Sequence, residues 1–216
     1  MKESYRTVLR EDRDEFTVQK SRFIGWACPC ETEQQALTFL QKIREAYRDA
    51  SHHCYAYIIG TNQGIMRYSD DGEPGGTAGM PIMDVLRNQH LVNCCVVVVR
   101  YFGGILLGTG GLVRAYTQSA KLAVTAAIPI TMEWTCRDLC EVPYSAWDTV
   151  RYTLDKLPAR AADLSFGAAV SFTLLSRQHD RDRVLNALMN ASGRQLETLP
   201  EEEGYESWET QPEMQD

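Results

Sequence analysis

Four consecutive valines, Val96–Val99, follow two cysteines in the segment from Cys94 to Phe102, whose one charged residue is Arg100. Successive residues of a β-strand point to opposite faces of its sheet, so an unbroken run of apolar residues such as Cys94–Val99 indicates a strand that is buried on both faces. This segment therefore predicts the central strand of a sheet. Helical and strand-like segments alternate around it, and together they predict an α+β fold.

A first domain is expected over residues 1–131. Beyond the valine strand, the pattern predicts two strands within residues 4–30, a helix over about Glu33–Tyr47, paired strands Cys54–Ile59 and Ile65–Tyr68, and helices over about Met80–Arg87 and Gly111–Ala126. Thr32 and Gln35 have the spacing of a capping box, which fixes the start of the first helix.

A second domain is expected over residues 134–200, because Pro129 and the polar residues up to Glu133 interrupt the pattern. Its segments follow the order β-α-β-β-α-β, which is typical of a ferredoxin-like domain. Residues 201–216 are expected to form an acidic tail. From Pro200 onward there are seven acidic residues and no basic ones, and without them 22 acidic residues face 22 basic ones. The net charge of −7 therefore belongs to the tail, and any contact with nucleic acid must rest on a local patch.

The composition favours a cytoplasmic protein. No apolar run is long enough to span a membrane, and the N-terminus lacks the apolar core of a signal peptide. The 7 cysteines are an odd number without a disulfide-like framework, which fits a reducing compartment. Cys28 and Cys30 are the only pair with suggestive spacing, and no CxxC repeat completes a zinc site. We therefore expect no metal and no cofactor.

Three segments carry residues suited to chemistry, and the first is Ser51–Tyr57, which contains His52 and His53. Neighbouring residues of a strand point to opposite faces, so the two histidines cannot ligate one metal without a break in the strand. His52 and Cys54 share a face, but two ligands do not close a site. The alternatives are a buried hydrogen-bonded histidine beside a surface one, or a general base whose orienting partner the sequence does not reveal.

The second segment is an acidic loop, Ser69–Gly79. Its three carboxylates are those of Asp70, Asp71 and Glu73, and Gly72 stands between the last two. These carboxylates could bind Mg²⁺, face a partner, or serve as turn and cap residues, since Asp and Gly dominate turns for backbone reasons. Thr77 and the amides after it resemble a helix start, where unpaired N–H groups attract an anion. All three interpretations remain open at the level of sequence.

The third segment is a glycine loop between the valine strand and the next helix. Its glycines could cradle a phosphate with their amides, or could be there for positive φ angles alone. Arg100 and Arg114 could supply charge, while Tyr101 or Tyr116 could stack on a base. The pattern is neither a Walker A loop nor GxGxxG. The five glycines of the loop are Gly103, Gly104, Gly108, Gly110 and Gly111.

Together, the three segments resemble the IMPACT family, most closely its bacterial YigZ-like branch. The resemblance rests on the segments His52–Ala56, Ser69–Pro74, Gly76–Gly79, Val98–Gly104 and Leu107–Tyr116. Leu106 stands where other members carry Lys, which weakens a phosphate site based on that lysine. Gly75 stands where many carry Ser.

The resemblance implies a first domain like the second domain of a small-subunit ribosomal protein, a fold shared with domain IV of elongation factor G. It also implies a ferredoxin-like second domain. Eukaryotic relatives look like translational regulators, although they carry a further binding domain. Our leading hypothesis is a non-enzymatic, translation-associated regulatory or binding protein that contacts RNA, the ribosome or a translation factor, through the glycine loop with the acidic loop as the opposite wall. The alternative is an enzyme that acts on a phosphorylated or peptide-like small molecule. The oligomeric state is left open.

Overall fold

The computed structural model describes residues 2–209, which form two compact units of mixed helices and antiparallel strands. The N-terminal unit is Tyr5–Thr131, and the C-terminal unit consists of residues 2–4 and 132–209. The α+β prediction is confirmed at this level. No helix within residues 2–209 is both long and apolar enough to cross a membrane.

The N-terminal unit is built on a five-stranded antiparallel sheet in the order β2-β3-β6-β4-β5. Its elements are β1 (Tyr5–Val8), β2 (Asp12–Val18), β3 (Ser21–Pro29), α1 (Glu33–Ala46), β4 (His52–Ile59), β5 (Ile65–Ser69), α2 (Gly79–Asn88), β6 (Cys94–Tyr101) and α3 (Gly108–Ala126). The valine strand β6 is central, as predicted, and all four valines are fully buried.

The two faces of this sheet have separate cores. Val96 and Val98 pack with side chains of α2 and α3, whereas Val97 and Val99 pack with side chains of α1. Helix α3 approaches β3 so closely that a Cβ at Gly25 would lie 2.4 Å from a backbone oxygen of the helix. This alternation decides which side of the sheet each functional side chain of β4 and β6 reaches.

The C-terminal unit contains β7 (Pro129–Val142, which starts in the N-terminal unit), α4 (Tyr144–Leu154), β8 (Ala159–Phe166), β9 (Val170–Arg177), α5 (Arg181–Ala191), β10 (Glu197–Pro200) and β11 (Gly204–Ser207). Strand β9 lies between β7 and β8, and β10 pairs with β7; all of these pairings are antiparallel. The side chains of α4 and α5 close the core of the unit.

The structure corrects four predicted boundaries. Residues 4–30 form three strands instead of two, because Gln19 and Lys20 make the β2–β3 turn with positive φ angles of 45° and 63°, without a glycine to signal it. Strand β7 runs unbroken through the predicted interruption, since proline is tolerated as the first residue of a strand. Helix α3 starts at Gly108 instead of Gly111. Part of the predicted acidic tail forms β11, and residues 210–216 lie outside the described residues.

Candidate functional site

The acidic loop and the glycine loop meet in one cleft of the N-terminal unit, with a volume of about 490 Å³. This volume lies within the range typical of ligand pockets. Most of the exposed lining is apolar. We refer to it as the cleft, and its lining residues are Ser51, His52, Glu73, Pro74, Arg100, Phe102, Leu106, Leu107, Gly108, Thr109 and Leu112.

A buried polar network lies under the floor of the cleft. Arg100 Nη1 donates to Glu73 Oε1 at 2.6 Å, and the hydroxyl of Tyr116 donates to the same oxygen at 2.7 Å. Tyr116 is fully buried, which raises the pKa of its hydroxyl and keeps it a donor. The predicted roles of Arg100 as a counter-charge and of Tyr116 as a stacking platform are therefore wrong, because Glu73 neutralises the arginine and the core encloses the tyrosine.

The two histidines lie on opposite faces of β4, as the alternation predicts. His52 faces the cleft: its Nδ1 lies 2.8 Å from the carbonyl oxygen of Asp71, and its Nε2 lies 3.9 Å from Glu73 Oε1. A carbonyl only accepts, so Nδ1 carries the proton, and in the neutral ring Nε2 is left as an acceptor. His53 is on the α1 side of the sheet, where its Nε2 donates to the carbonyl of Tyr47 at 3.0 Å. His53 is therefore no part of the cleft.

The acidic loop is held by its own carboxylates. Asp70 Oδ1 accepts from the amides of Ala78 and Gly79 at 3.0 and 2.8 Å, and Oδ2 accepts from Gly76. Burial acts to raise the pKa of Asp70, but these three backbone bonds outweigh it, and the pKa is lowered. The anion site expected after Thr77 is thus occupied by Asp70. The hydroxyl of Thr77 itself donates to a backbone carbonyl in the loop.

The next two residues of the acidic loop shape its backbone. Asp71 accepts from the amide of His53 at 2.6 Å, with a weaker contact to Arg44 at 3.4 Å. Asp71 and Gly72 both adopt positive φ angles, of 45° and 87°. The turn-and-cap interpretation of this loop is favoured by these contacts. Within residues 2–209, no three His, Cys, Asp or Glu side chains are arranged to hold a metal.

The glycine loop packs against the β2–β3 turn at Gly103, whereas no atoms lie close to the Cβ position of its later glycines, Gly104 and Gly108. The amide of Gly103 donates to Ser21 Oγ at 3.2 Å, and a Cβ at Gly103 would lie 2.1 Å from the backbone of Lys20. Gly104 and Gly108 adopt φ angles of 80° and 70°, and space for a Cβ is open at both. The bend therefore needs its glycines both for close approach and for positive φ.

Gly110 and Gly111 are in the first turn of α3, not in the loop. The N-cap position is Leu107, whose side chain cannot accept a hydrogen bond. Within residues 2–209, no side chain accepts from the amides of Gly108, Thr109 or Gly110. Part of the amide-rich bend is thus open beside the cleft.

Besides His53, two further predicted site residues, Tyr101 and Arg114, lie away from the cleft. Tyr101 is next to Arg100 on β6 and so points to the opposite face, where its hydroxyl donates to Asp49 at 2.8 Å. Arg114 is on a different side of α3, where it borders surface grooves with Gln118 and Lys121. Tyr101 is separated from Arg100 because neighbouring side chains of β6 point to opposite faces of the sheet. Arg114 is separated from the cleft because its position on α3 directs it to another side of the helix.

The apolar rim of the cleft was not predicted from the sequence. Phe102 and Leu106 line the cleft as exposed large apolar side chains, and Leu106 is 85% exposed. Two serines were missed as well, since Ser51 and Ser21 accept hydrogen bonds from the loop amides. The apolar run Ile105–Leu107 between glycines was the available signal, because such residues in a loop have no core to fill.

Comparison with known proteins identifies the family. A model of the Impact N-terminal domain matches residues 19–124. IMPACT family member YvyE of Bacillus subtilis is 50% identical over 121 residues, or 56% of each chain. IMPACT family member YigZ of Escherichia coli is 45% identical over 109 residues, or 50% of this chain and 53% of that one. The present chain belongs to the IMPACT family, and the match spans about half the length of these curated relatives.

One solved structure matches almost the full chain. The crystal structure of a hypothetical protein superposes with a TM-score of 0.60 at 28% identity, and it covers 94% of this chain and 99% of that chain. The mixed α and β architecture therefore recurs in a solved relative.

Proposed function

We propose that this chain is a translation-associated regulatory protein that binds a protein partner, a translation factor or a ribosomal protein, in the cleft. Family membership supports the regulatory role, since the resemblance implies that eukaryotic relatives regulate translation. The observation that carries the choice of partner is the pair of exposed apolar side chains, Phe102 and Leu106, that line a mostly apolar cleft. Exposed apolar patches of this kind mark interaction sites.

RNA fits this cleft less well than a protein does. Binding to a nucleic acid depends on cationic side chains that neutralise phosphates. Arg100 is already paired with Glu73, and Arg114 lies on another side of α3. An apolar anchor such as Leu106 gains instead from burial against another protein.

The test compares Leu106→Asp with Leu37→Asp in binding to purified ribosomal subunits and purified translation factors. Leu37 is a matched control, because it is also an exposed leucine of the N-terminal unit but lies on α1, which packs on the opposite face of the sheet. We expect Leu106→Asp to weaken binding at least about tenfold, the effect of losing about 1.4 kcal/mol at a hot spot, and Leu37→Asp to leave it unchanged.

Three outcomes would contradict the proposal. The wild-type chain could bind none of these partners, or both aspartate variants could weaken binding equally. In a parallel arm with structured RNA at low salt, binding that Leu106→Asp leaves intact, together with no protein binding, would favour a nucleic-acid partner.

The orientation of His52 favours a second candidate, an enzyme that acts on a phosphorylated or peptide-like small molecule. Its Nε2 faces the cleft as an acceptor, in the position of a general base oriented by a backbone carbonyl. Saturable turnover in a substrate screen with and without Mg²⁺, lost in His52→Gln, is the expected result for this candidate. Turnover that His52→Gln leaves unchanged would exclude His52 as the base.

The same resemblance supports finer assignments. We propose that the N-terminal unit shares the fold of the second domain of a small-subunit ribosomal protein and of domain IV of elongation factor G. The C-terminal unit is proposed to be ferredoxin-like, supported by its element order and by the strand order β10-β7-β9-β8. A cytoplasmic location is proposed from the free state of all seven cysteines.

A further inference from the structure

A cluster of thiols lies on the α1 side of the N-terminal sheet, away from the cleft. Cys28 is in β3, Cys30 directly follows that strand, and Cys95 is opposite Cys28 on β6. Cys30 and Cys95 belong to the core cluster that packs against α1, and Cys28 packs against that cluster. Cys30 and Cys95 are buried, whereas Cys28 is partly exposed, so only one thiol of the cluster is open to a reagent in solvent.

The spacing of Cys28 and Cys30 permits a direct bond between them. Residues two apart on a strand share a face, with Cα atoms about 6.6–6.8 Å apart, at the upper end of the range found for disulfides. Cys28 Sγ lies 3.4 Å from the carbonyl oxygen of Pro29, so the thiol is directed along the chain toward Cys30.

The surroundings make Cys28 the nucleophile of the pair. A hydrogen bond with Cys30 lowers the pKa of Cys28; burial and Glu11 oppose this effect, and Lys42 adds to it. The same hydrogen bond, together with burial, raises the pKa of Cys30. A partly exposed thiol with a lowered pKa beside a resolving thiol is the arrangement of redox-sensitive cysteines.

We propose that Cys28 and Cys30 are a peroxide-reactive pair, in which Cys28 attacks a hydroperoxide and Cys30 resolves the product as a disulfide. The Cys28 thiolate attacks one oxygen of the O–O bond, which gives a sulfenic acid and releases an alcohol, or water from hydrogen peroxide. The sulfur of Cys30 then attacks the sulfur of Cys28 and expels water, with the thiol proton completing that water. In sum, two thiols and one hydroperoxide give a disulfide, an alcohol and water, and two electrons pass from sulfur to oxygen.

The bridge would form beside the start of α1. The capping box of α1 begins at Thr32, and the amide of Glu31 donates to Gln35 Oε1 at 2.7 Å. A bond that draws Cys30 toward Cys28 pulls on this cap directly. Faster hydrogen exchange of the amides of residues 31–36 in the oxidised protein, reversed by dithiothreitol, is the expected consequence.

The test treats the full chain with hydrogen peroxide, alkylates the remaining thiols after denaturation, and maps tryptic peptides by mass. Cys28 and Cys30 fall in one peptide, residues 23–42, whereas Cys95 falls in residues 88–100. We expect the first peptide to lose both alkylation sites and to become lighter by two hydrogen atoms than its reduced, unalkylated form. Cys28→Ser should abolish this product, and Cys95→Ala should retain it.

Cys136 provides an internal reference. It is a buried thiol of the C-terminal unit, and burial raises its pKa to about 11, so it should stay alkylatable while Cys28 reacts. Loss of the free thiol of Cys136 at the same rate as that of Cys28 would overturn the proposal. So would a cross-link between peptides 23–42 and 88–100, or a Cys28 sulfenic acid that dimedone traps and Cys30 never resolves.

Discussion

The starts of α2 and α3 differ in how their backbone amides are used. At α2, a carboxylate of the acidic loop, Asp70, accepts hydrogen bonds from the amides of Ala78 and Gly79. At α3, Leu107 stands at the N-cap, and no side chain within residues 2–209 accepts from the first three amides. The acidic loop therefore supplies a carboxylate that accepts from the first amides of α2. The glycine loop supplies no such acceptor, so the first amides of α3 stay available beside the cleft.

The residues in and around the cleft fall into two sets: polar residues that are bonded within the protein, and apolar residues that are exposed. Asp70, Asp71, Glu73, Arg100 and Tyr116 all have protein partners, and the most buried of them form the network under the cleft. The rim around α3 is instead apolar and exposed. We infer that substitutions in the first set act on stability, whereas substitutions in the rim act on binding.

The largest expected effect is that of Arg100→Met. It leaves the buried carboxylate of Glu73 without its cation, and breaking a buried ion pair in this way costs about 3–5 kcal/mol. Urea unfolding followed by circular dichroism measures the loss. The double variant Arg100→Met with Glu73→Met removes both charges, and its free energy of unfolding should be closer to that of the wild type. A loss below about 1 kcal/mol in the single variant would contradict the buried network.

Gly103→Ala should cost about 1–3 kcal/mol, because its Cβ would lie 2.1 Å from the backbone of Lys20 and the loop must shift. Gly75→Ala is the matched control in the acidic loop, where nothing lies within 4 Å of a Cβ. The same urea titration compares them. Equal midpoints for the two variants would show that the start of the glycine loop is not packed against the β2–β3 turn.

Asp70→Asn should lower stability by about 1 kcal/mol, the usual effect of losing a cap. The pKa of Asp70 is lowered in the folded chain, so its contribution is present above its ordinary pKa and is lost as pH falls through the folded value. The difference between wild type and variant should therefore shrink below about pH 4. Asp84→Asn, at an exposed position of α2, is the control and should change stability by less than about 0.5 kcal/mol.

The sequence predicted those parts of the fold that depend on periodicity. The valines placed β6 at the centre, Thr32 and Gln35 fixed the start of α1, and alternation separated His52 from His53. The β2–β3 turn was missed because Gln19 and Lys20 carry no turn signal, and tertiary pairing alone imposes their positive φ angles.

The site was harder to predict, because its residues depend on partners far away in the sequence. Arg100 is neutralised by Glu73, 27 residues earlier, and Tyr116 is enclosed by the core of α2 and α3. Tyr101 could have been separated from Arg100 by the same alternation that was applied to the histidines. That both loops line one cleft follows only from the tertiary fold.

The smallest expected effect tests the comparison of the two helix starts directly. Thr109 and Met80 are exposed residues in the first turns of α3 and α2, and neither turn contains an acidic residue. At the open start of α3, Thr109→Glu should be more stable than Thr109→Gln by about 0.3–1 kcal/mol, because the added charge faces unpaired amides. At α2, the gain of Met80→Glu over Met80→Gln should be smaller, because Asp70 already supplies a negative charge there. Urea titrations at low and high salt measure both differences, and salt should reduce the larger one. Equal gains at the two positions would mean that the α3 amides are no more available than those of α2, and the open bend beside the cleft would lose its electrostatic support.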